Sequence, residues 1–368
     1  MRRPLEAGAA VVVKIGSSSL TGSDGGLDEA RVARVVDHVT HLMTAGHPTV
    51  LVTSGAIAAG FPSLGLKTRP TAIADLQVAA AVGQTKLMER YARLFSSHGI
   101  EIGQVLLTKD VLGNRQQYLN ARSALSRMLE LGVVPIVNEN DTVVVDEVKL
   151  GDNDRLAAIA SHLIGAGMLV ILTDTPGLFT DDPRLSDDAE LLSAVLHSDG
   201  VLDSIRASDG KGALGSGGVV TKVVAARMAA FSGVPTVVAA ADVPDVVAKA
   251  VAGEAVGTWI DPRKEPLSAR RLWIAFGLAT SGTVTVDGGA VDALVNGGRS
   301  LLAVGIADTS GDFQQGDAIE VVDEDGNLCA KGVARVGAAD AMIPGVEVIH
   351  RDDLVVLREK RHRPPSLR

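Results

Sequence analysis

The chain has 368 residues, 46% apolar but only 3% aromatic, with a formal charge of −9 and one cysteine, Cys329. That length suggests two or three domains, and the absence of a basic surplus argues against nucleic acid as partner. A single cysteine excludes an internal disulfide, there is no Cys/His cluster for zinc, and no run nears the roughly 18 apolar residues of a membrane span. The run Ala9 to Val13 is too short for a secretory signal and stops at Lys14. These features predict a soluble, cytoplasmic protein.

Strand-like and helix-like segments alternate for the first 260 residues. Val11 to Ile15 is a β-branched run. Asp28 to Ala45 carries Val32, Val35, Val36, Val39, Leu42 and Met43 at helical spacing and stops near Gly46. Thr49 to Thr53 predicts a strand and Asp75 to Phe95 a long helix. Val105 to Leu107 and Val133 to Val137 predict strands, with a helix from about Arg115 to Leu131 between them. Met168 to Leu172 and Thr236 to Ala239 read as buried strands. This alternation predicts an α/β fold, a mostly parallel sheet covered on both faces.

The pattern changes at Asp261-Pro262-Arg263-Lys264-Glu265-Pro266, which predicts a linker over 261–280 after a first domain of 1–260. Short strands follow at Thr283 to Val286, Ser300 to Val304, Ala318 to Val322 and Leu354 to Leu357. Turns are predicted at Asp287-Gly288-Gly289 and Asp325-Gly326-Asn327. Residues 281–358 thus form a small β-rich module, and 359–368 a frayed tail. From Thr283 to Arg358 there are 13 Asp and Glu against 5 Lys and Arg, formally −8. That opposes a rival reading in which this module binds an RNA backbone.

There is no G-x-x-x-x-G-K-[ST] loop. The glycines 210, 212 and 215 match G-x-G-x-x-G, but Ile205 to Asp209 before them is not strand-like, so a dinucleotide fold is not indicated. Four polar segments are placed at the ends of predicted strands, where ligands bind in open α/β sheets. Lys14-Ile15-Gly16-Ser17 sets an ammonium in an apolar strand, either to meet an anion or to snorkel to solvent. Ser54-Gly55 precedes a small-residue helix, with Ser54 a natural N-cap or part of an anion site. Asn138-Glu139-Asn140-Asp141, followed by Gly151-Asp152-Asn153-Asp154, crowds carboxylates and amides beyond an apolar strand, for acid/base or metal work or simply for turns. Gly215-Ser216-Gly217-Gly218-Val219-Val220-Thr221-Lys222 leads into a helix with Lys222 predicted in its first turn, where a cation is unfavourable unless an anion is bound. Two lysines, glycine-rich amides and a polar pocket suit phosphoryl transfer. An acceptor carboxylate is already ionised at neutral pH, so no general base is needed.

On these segments, together with Leu-Leu-Thr, Asn-Ala-Arg at 120–122, Leu-Thr-Asp at 172–174 and Asp-Asp-Pro-Arg at 181–184, the chain resembles the amino-acid kinase family over residues 10–260. The branch it is most similar to phosphorylates the side-chain carboxylate of L-glutamate with ATP and Mg2+, at the start of proline biosynthesis. Related acceptors in the family are N-acetylglutamate, aspartate and nucleoside monophosphates. Asp141 favours an acceptor with a free amine, because a buried carboxylate wants a cation. The resemblance implies a three-layer α/β/α sandwich. It also implies that Lys14 and Lys222 contact phosphates, that Asp154 holds both lysines, and that Ser54, Asp141 and Asn153 bind glutamate. Thr173, Asp174 and residues Ser216, Gly217, Gly218, Val219, Val220, Thr221 and Lys222 would line the nucleotide site, with no protein metal ligand. Proline as feedback inhibitor, acting where Asp152 and Asn153 lie, and a homo-oligomer are further implications. The phosphate loop of that branch commonly reads Gly-Thr-Gly-Gly-Met; Ser216 and Val219 depart from it. The C-terminal module looks like a PUA domain, a small β-barrel type, on Gly305-Ile306, Gly311-Asp312-Phe313, Gly316-Asp317 and His350 to Leu354.

Overall fold

A computed structural model describes residues 2–22, 25–143, 152–207 and 217–358. The chain divides into two compact units, 1–266 and 267–368.

The first unit is built on strands β1 (Val11–Ile15), β2 (Thr49–Val52), β3 (Ile102–Leu107), β4 (Val134–Glu139), β5 (Met168–Thr173), β6 (Ala194–Leu196), β7 (Thr236–Ala240) and β8 (Thr258–Asp261). They form one sheet in the order β3-β4-β2-β1-β5-β7-β8-β6. All pairs are parallel except β7–β8, so β6 and β8 run against the rest. β6 and β8 are too short and mixed in composition for the periodicity reading, which missed them.

Its helices are α1 (Glu29–Thr44), α2 (Ala56–Gly60), α3 (Ile73–Ser96), α4 (Arg115–Glu130), α5 (Asp152–Ile164), α6 (Gly200–Ala207), α7 (Gly217–Phe231) and α8 (Val246–Val251). α1 forms because Val32, Val35, Val36, Val39 and Leu42 make one buried stripe, each worth about 1.5–3 kcal/mol when removed from water. Asp28 caps it by accepting from Ala30 and Arg31 amides at 2.9 and 3.1 Å. Alternation along β1 sends Val11, Val13 and Ile15 into the core shared with α1, α3 and α8. Lys14 therefore faces the opposite layer, where α5 packs over β1 and against α7. The result is a three-layer α/β/α sandwich. β1 is flanked by β2 on one side and β5 on the other, which makes it the switch point of the sheet.

The second unit has a mixed five-stranded sheet, order β11-β9-β12-β13-β15, from β9 (Thr280–Val286), β11 (Ile306–Ser310), β12 (Ala318–Asp323), β13 (Leu328–Val333) and β15 (Leu354–Val356). A ladder of β10 (Leu301–Leu302) and β14 (Glu347–Ile349) shares its core. Three expectations change here. The predicted turn at Asp287-Gly288-Gly289 is the start of helix α10 (Gly288–Val295), because Asp287 caps it at Ala290 N (2.7 Å) and Leu294 and Val295 are buried. The strand expected over Ser300 to Val304 shrinks to two residues. The stretch 261–280 is not a bare linker. It holds the end of β8, helix α9 (Ala269–Leu272) capped by Ser268, and a π-turn over Trp273–Gly277, and buries Leu272, Ile274 and Ala275. The predicted tail 359–368 lies outside the described residues.

Candidate active site

The C-terminal ends of four adjacent strands, β4, β2, β1 and β5, open onto one rim. Lys14 is the fourth residue of β1 and is only 3% exposed. It does not snorkel. Its ammonium makes an ion pair with Asp154 Oδ1, in the first turn of α5. The other carboxylate oxygen accepts from Thr221 Oγ1 at 2.8 Å and lies 3.7 Å from Lys222 Nζ, both on α7. Three elements far apart in sequence thus converge on one carboxylate.

Burial alone would push the Asp154 carboxyl up; the two ammonium groups and the hydrogen bonds from Lys14 and Thr221 outweigh it and hold it below the usual range. Burial also draws the Lys14 ammonium below its usual range, with Asp154 opposing that shift and Lys222 adding to it. With both lysines protonated the triad carries a formal +1. A surplus of positive charge that is largely withdrawn from solvent fits an anionic ligand.

Lys222 sits in the second turn of α7 rather than the first, because Gly217 and Gly218 are already helical. Its ammonium donates to Gly218 O at 2.8 Å, one turn back, so the group travels with the helix. The described element before this segment is helix α6, not a strand. Val219, Val220 and Thr221 belong to α7 and are partly buried; Ser216 lies outside the described residues.

A second polar set lies beside the first. Gly55, with φ of 100°, is the N-cap of α2, so Ser54 is not. Ser54 turns its hydroxyl to accept from Asn153 Nδ2 at 3.0 Å. Asn153 Oδ1 in turn accepts from the Glu139 amide at 3.1 Å, shared with Asn138 Oδ1 at 2.9 Å. Asn138 Nδ2 donates to Gln84 Oε1 at 2.8 Å. Asp141 is half-buried in the turn just beyond β4. At the end of β5 the buried Thr173 donates to Oδ1 of the exposed Asp174 at 3.0 Å.

Sequence reasoning did not single out Gln84 or Tyr91, and took Thr53 only as the residue that leads into Ser54. Tyr91 is fully buried on α3 and its hydroxyl lies 2.8 Å from Thr53 Oγ1, directly behind Ser54. Burial raises its pKa, so it stays a neutral phenol. A signal existed: Leu87, Tyr91 and Phe95 share one buried stripe, and a hydroxyl in such a stripe needs a partner. α3 is also pressed onto α2. A Cβ built on Gly60 would lie 1.9 Å from Ala79 O, and one on Gly83 1.7 Å from Ala56 O, so the two backbones touch.

Comparison with known proteins identifies the family. Residues 9–240 match the model of the amino acid kinase family, and residues 282–350 match that of the PUA domain. The chain is 46% identical over 373 residues to a glutamate 5-kinase of Marinomonas sp., covering 97% of this chain and all of that one. It is 45% identical to glutamate 5-kinases of Chromohalobacter salexigens and Thioalkalivibrio sulfidiphilus, in each case over 94% of this chain and 96% of the relative.

Proposed function

This chain belongs to the amino acid kinase family and, within it, to the glutamate 5-kinases, and on that premise we propose that it moves the γ-phosphoryl group of ATP to the side-chain carboxylate of L-glutamate, giving L-glutamyl 5-phosphate and ADP. The observation that carries the reading is the Lys14–Asp154–Lys222 triad at the switch point of the sheet, with Lys14 and Asp154 buried and Lys222 partly so.

Phosphoryl transfer asks for positioning and for cations at oxygens whose charge shifts in the transition state. Lys14 and Lys222 supply two ammonium groups there, and Asp154 spaces them. The neighbouring set of Ser54 and Asn153, with Asp141 at the ammonium, takes the amino acid. Thr173, Asp174 and the α7 residues Gly217 to Lys222 take the nucleotide, together with Ser216, which lies outside the described residues. The acceptor arrives ionised, so no residue has to remove a proton. Mg2+ would be carried on the nucleotide's phosphates, since Asp154 is already committed to two lysines. Among the described residues no three His, Cys, Asp or Glu side chains are grouped to hold a cation.

The test is a hydroxylamine trap for the acyl phosphate, run with ATP and Mg2+ and with glutamate, N-acetylglutamate or aspartate as acceptor. Hydroxamate should form with glutamate foremost. A chain active only on another acceptor would defeat the proposal.

The same premise supports a homo-oligomer in the cytoplasm, and proline competing at the glutamate subsite. No helix among the described residues is long and apolar enough to cross a membrane. Light scattering and proline titration check these points. A monomer, or a rate indifferent to proline far above the glutamate concentration, would remove them.

A further inference from the structure

The helix that carries Lys222 is held from two sides. On one side Thr221 and Lys222 reach Asp154. On another, Arg227, five residues beyond Lys222, is buried with only 6% of its side chain exposed. Its Nη1 donates to Asp203 Oδ1 of α6 at 2.5 Å, and its Nε donates to the carbonyl of His197, just past β6, at 3.2 Å. At about 100° per residue, Arg227 is turned about 140° from Lys222 and about 120° from Thr221. The two attachments therefore grip different faces of α7.

α7 buries Val223, Met228 and Phe231, but much of the rest of its buried face is alanine. Ala225, Ala226, Ala229 and Ala230 are all buried to 1% exposure or less. Methyl-sized side chains make shallow ridges, which define a helix's rotation and height less firmly than Leu or Ile would. A buried ion pair adds little net stability over an apolar pair of the same shape. A planar guanidinium with two fixed donor directions, however, sets orientation. Because the Lys222 ammonium is tied to its own helix at Gly218 O, any rotation of α7 carries it away from Asp154.

We propose that Arg227, with Asp203, is a positioning residue for the transfer: the pair sets the rotation and height of α7 and so places Lys222 Nζ beside Asp154. The inference rests on the role given to Lys222 above.

The experiment uses the full chain and measures kcat and both KM values for Asp203→Asn and Arg227→Met, each also in a Lys222→Ala background. Asp203→Asn keeps shape and removes charge; Arg227→Met removes both donors. Each should lower kcat by about 10-fold, the scale of a small misplacement far from the chemistry. Glutamate KM should hold within about 2-fold, with wild-type circular dichroism. In the Lys222→Ala background the same changes should cost less than about 2-fold, because the group they position is gone. If Arg227→Met does not fold, Asp203→Asn, whose side chain is 31% exposed, carries the test. Wild-type kcat in a folded variant, or equal losses in both backgrounds, would overturn the inference. Wild-type turnover by Lys222→Ala alone would instead overturn the role of Lys222, and this inference with it.

Discussion

The Lys14 ammonium and the Asp154 carboxylate meet across the junction of β1 and α5 with 4% and 1% of their side chains exposed. A pair so deeply buried is poor at adding net stability, yet costly to break. Removing one partner strands the other charge. That asymmetry makes the site testable by folding as well as by turnover.

The linkage to pH has a definite sign. The folded-state pKa of Asp154 lies below its ordinary 3.8, so between the two values the unfolded chain binds more protons. The stabilisation is complete above pH 3.8 and is lost as pH falls through the folded value. Asp154→Asn should lower stability by about 3–5 kcal/mol near neutrality. The gap to wild type should then narrow as pH falls from 3.8 toward the folded value, because the unfolded chain takes up the proton first, and close once the native carboxyl is itself neutral. Urea unfolding at several pH values reads this directly. A gap independent of pH would mean that the carboxylate charge is not what stabilises the junction.

The two halves of the site should separate in steady-state kinetics. On the roles proposed above, Lys222 would act on charge that redistributes during transfer, whereas the glutamate ammonium would keep its charge throughout. Lys222→Ala should lower kcat by about 10²-fold. Lys222→Arg should recover little of it, since a planar fork does not replace a compact ammonium. Asp141→Ala should mainly raise the glutamate KM. The opposite split, with Lys222→Ala changing only glutamate KM, would reverse these roles.

Gly60 and Gly83 should be unable to take even a methyl group. Each built Cβ falls within 2 Å of a backbone oxygen on the facing helix, against an ordinary separation on the order of 3.5 Å. Only a shift of α2 against α3 relieves that, and α2 follows Ser54 directly. Gly83→Ala should cost about 3 kcal/mol and raise glutamate KM in whatever fraction folds. Thermal unfolding and kinetics together decide it; a variant with unchanged melting temperature would show that the crossing is not tight.

The first unit should work alone. Its core and that of the second unit are separate clusters, and the triad lies wholly before Pro266. A chain ending at Pro266 should keep glutamate-dependent ADP release. A soluble, folded fragment without turnover would show that the second unit completes the enzyme.

Local pattern was enough for the α/β class and for most elements of the first unit. A strand such as Val11 to Ile15 or a stripe such as Val32 to Leu42 is defined by neighbours within a few residues. Order and spacing of the motifs carried the resemblance to the amino-acid kinases. Residue pattern by itself left open whether Lys14 met an anion or solvent and whether Ser54 was a cap. The tertiary structure decided both, through contacts that span 140 residues in one case and 99 in the other. It also turned Asp287-Gly288-Gly289 from a turn into a helix start, because burial of Leu294 and Val295 supplies what composition there does not show. Arg227 is the clearest example. In sequence it is one more charge on an alanine-rich helix; only the packing of α6 against α7 buries it and gives it Asp203 as a partner. Short-range periodicity records which face of an element is apolar. Which charge meets which across the fold is a property of packing, and no window of neighbouring residues contains it.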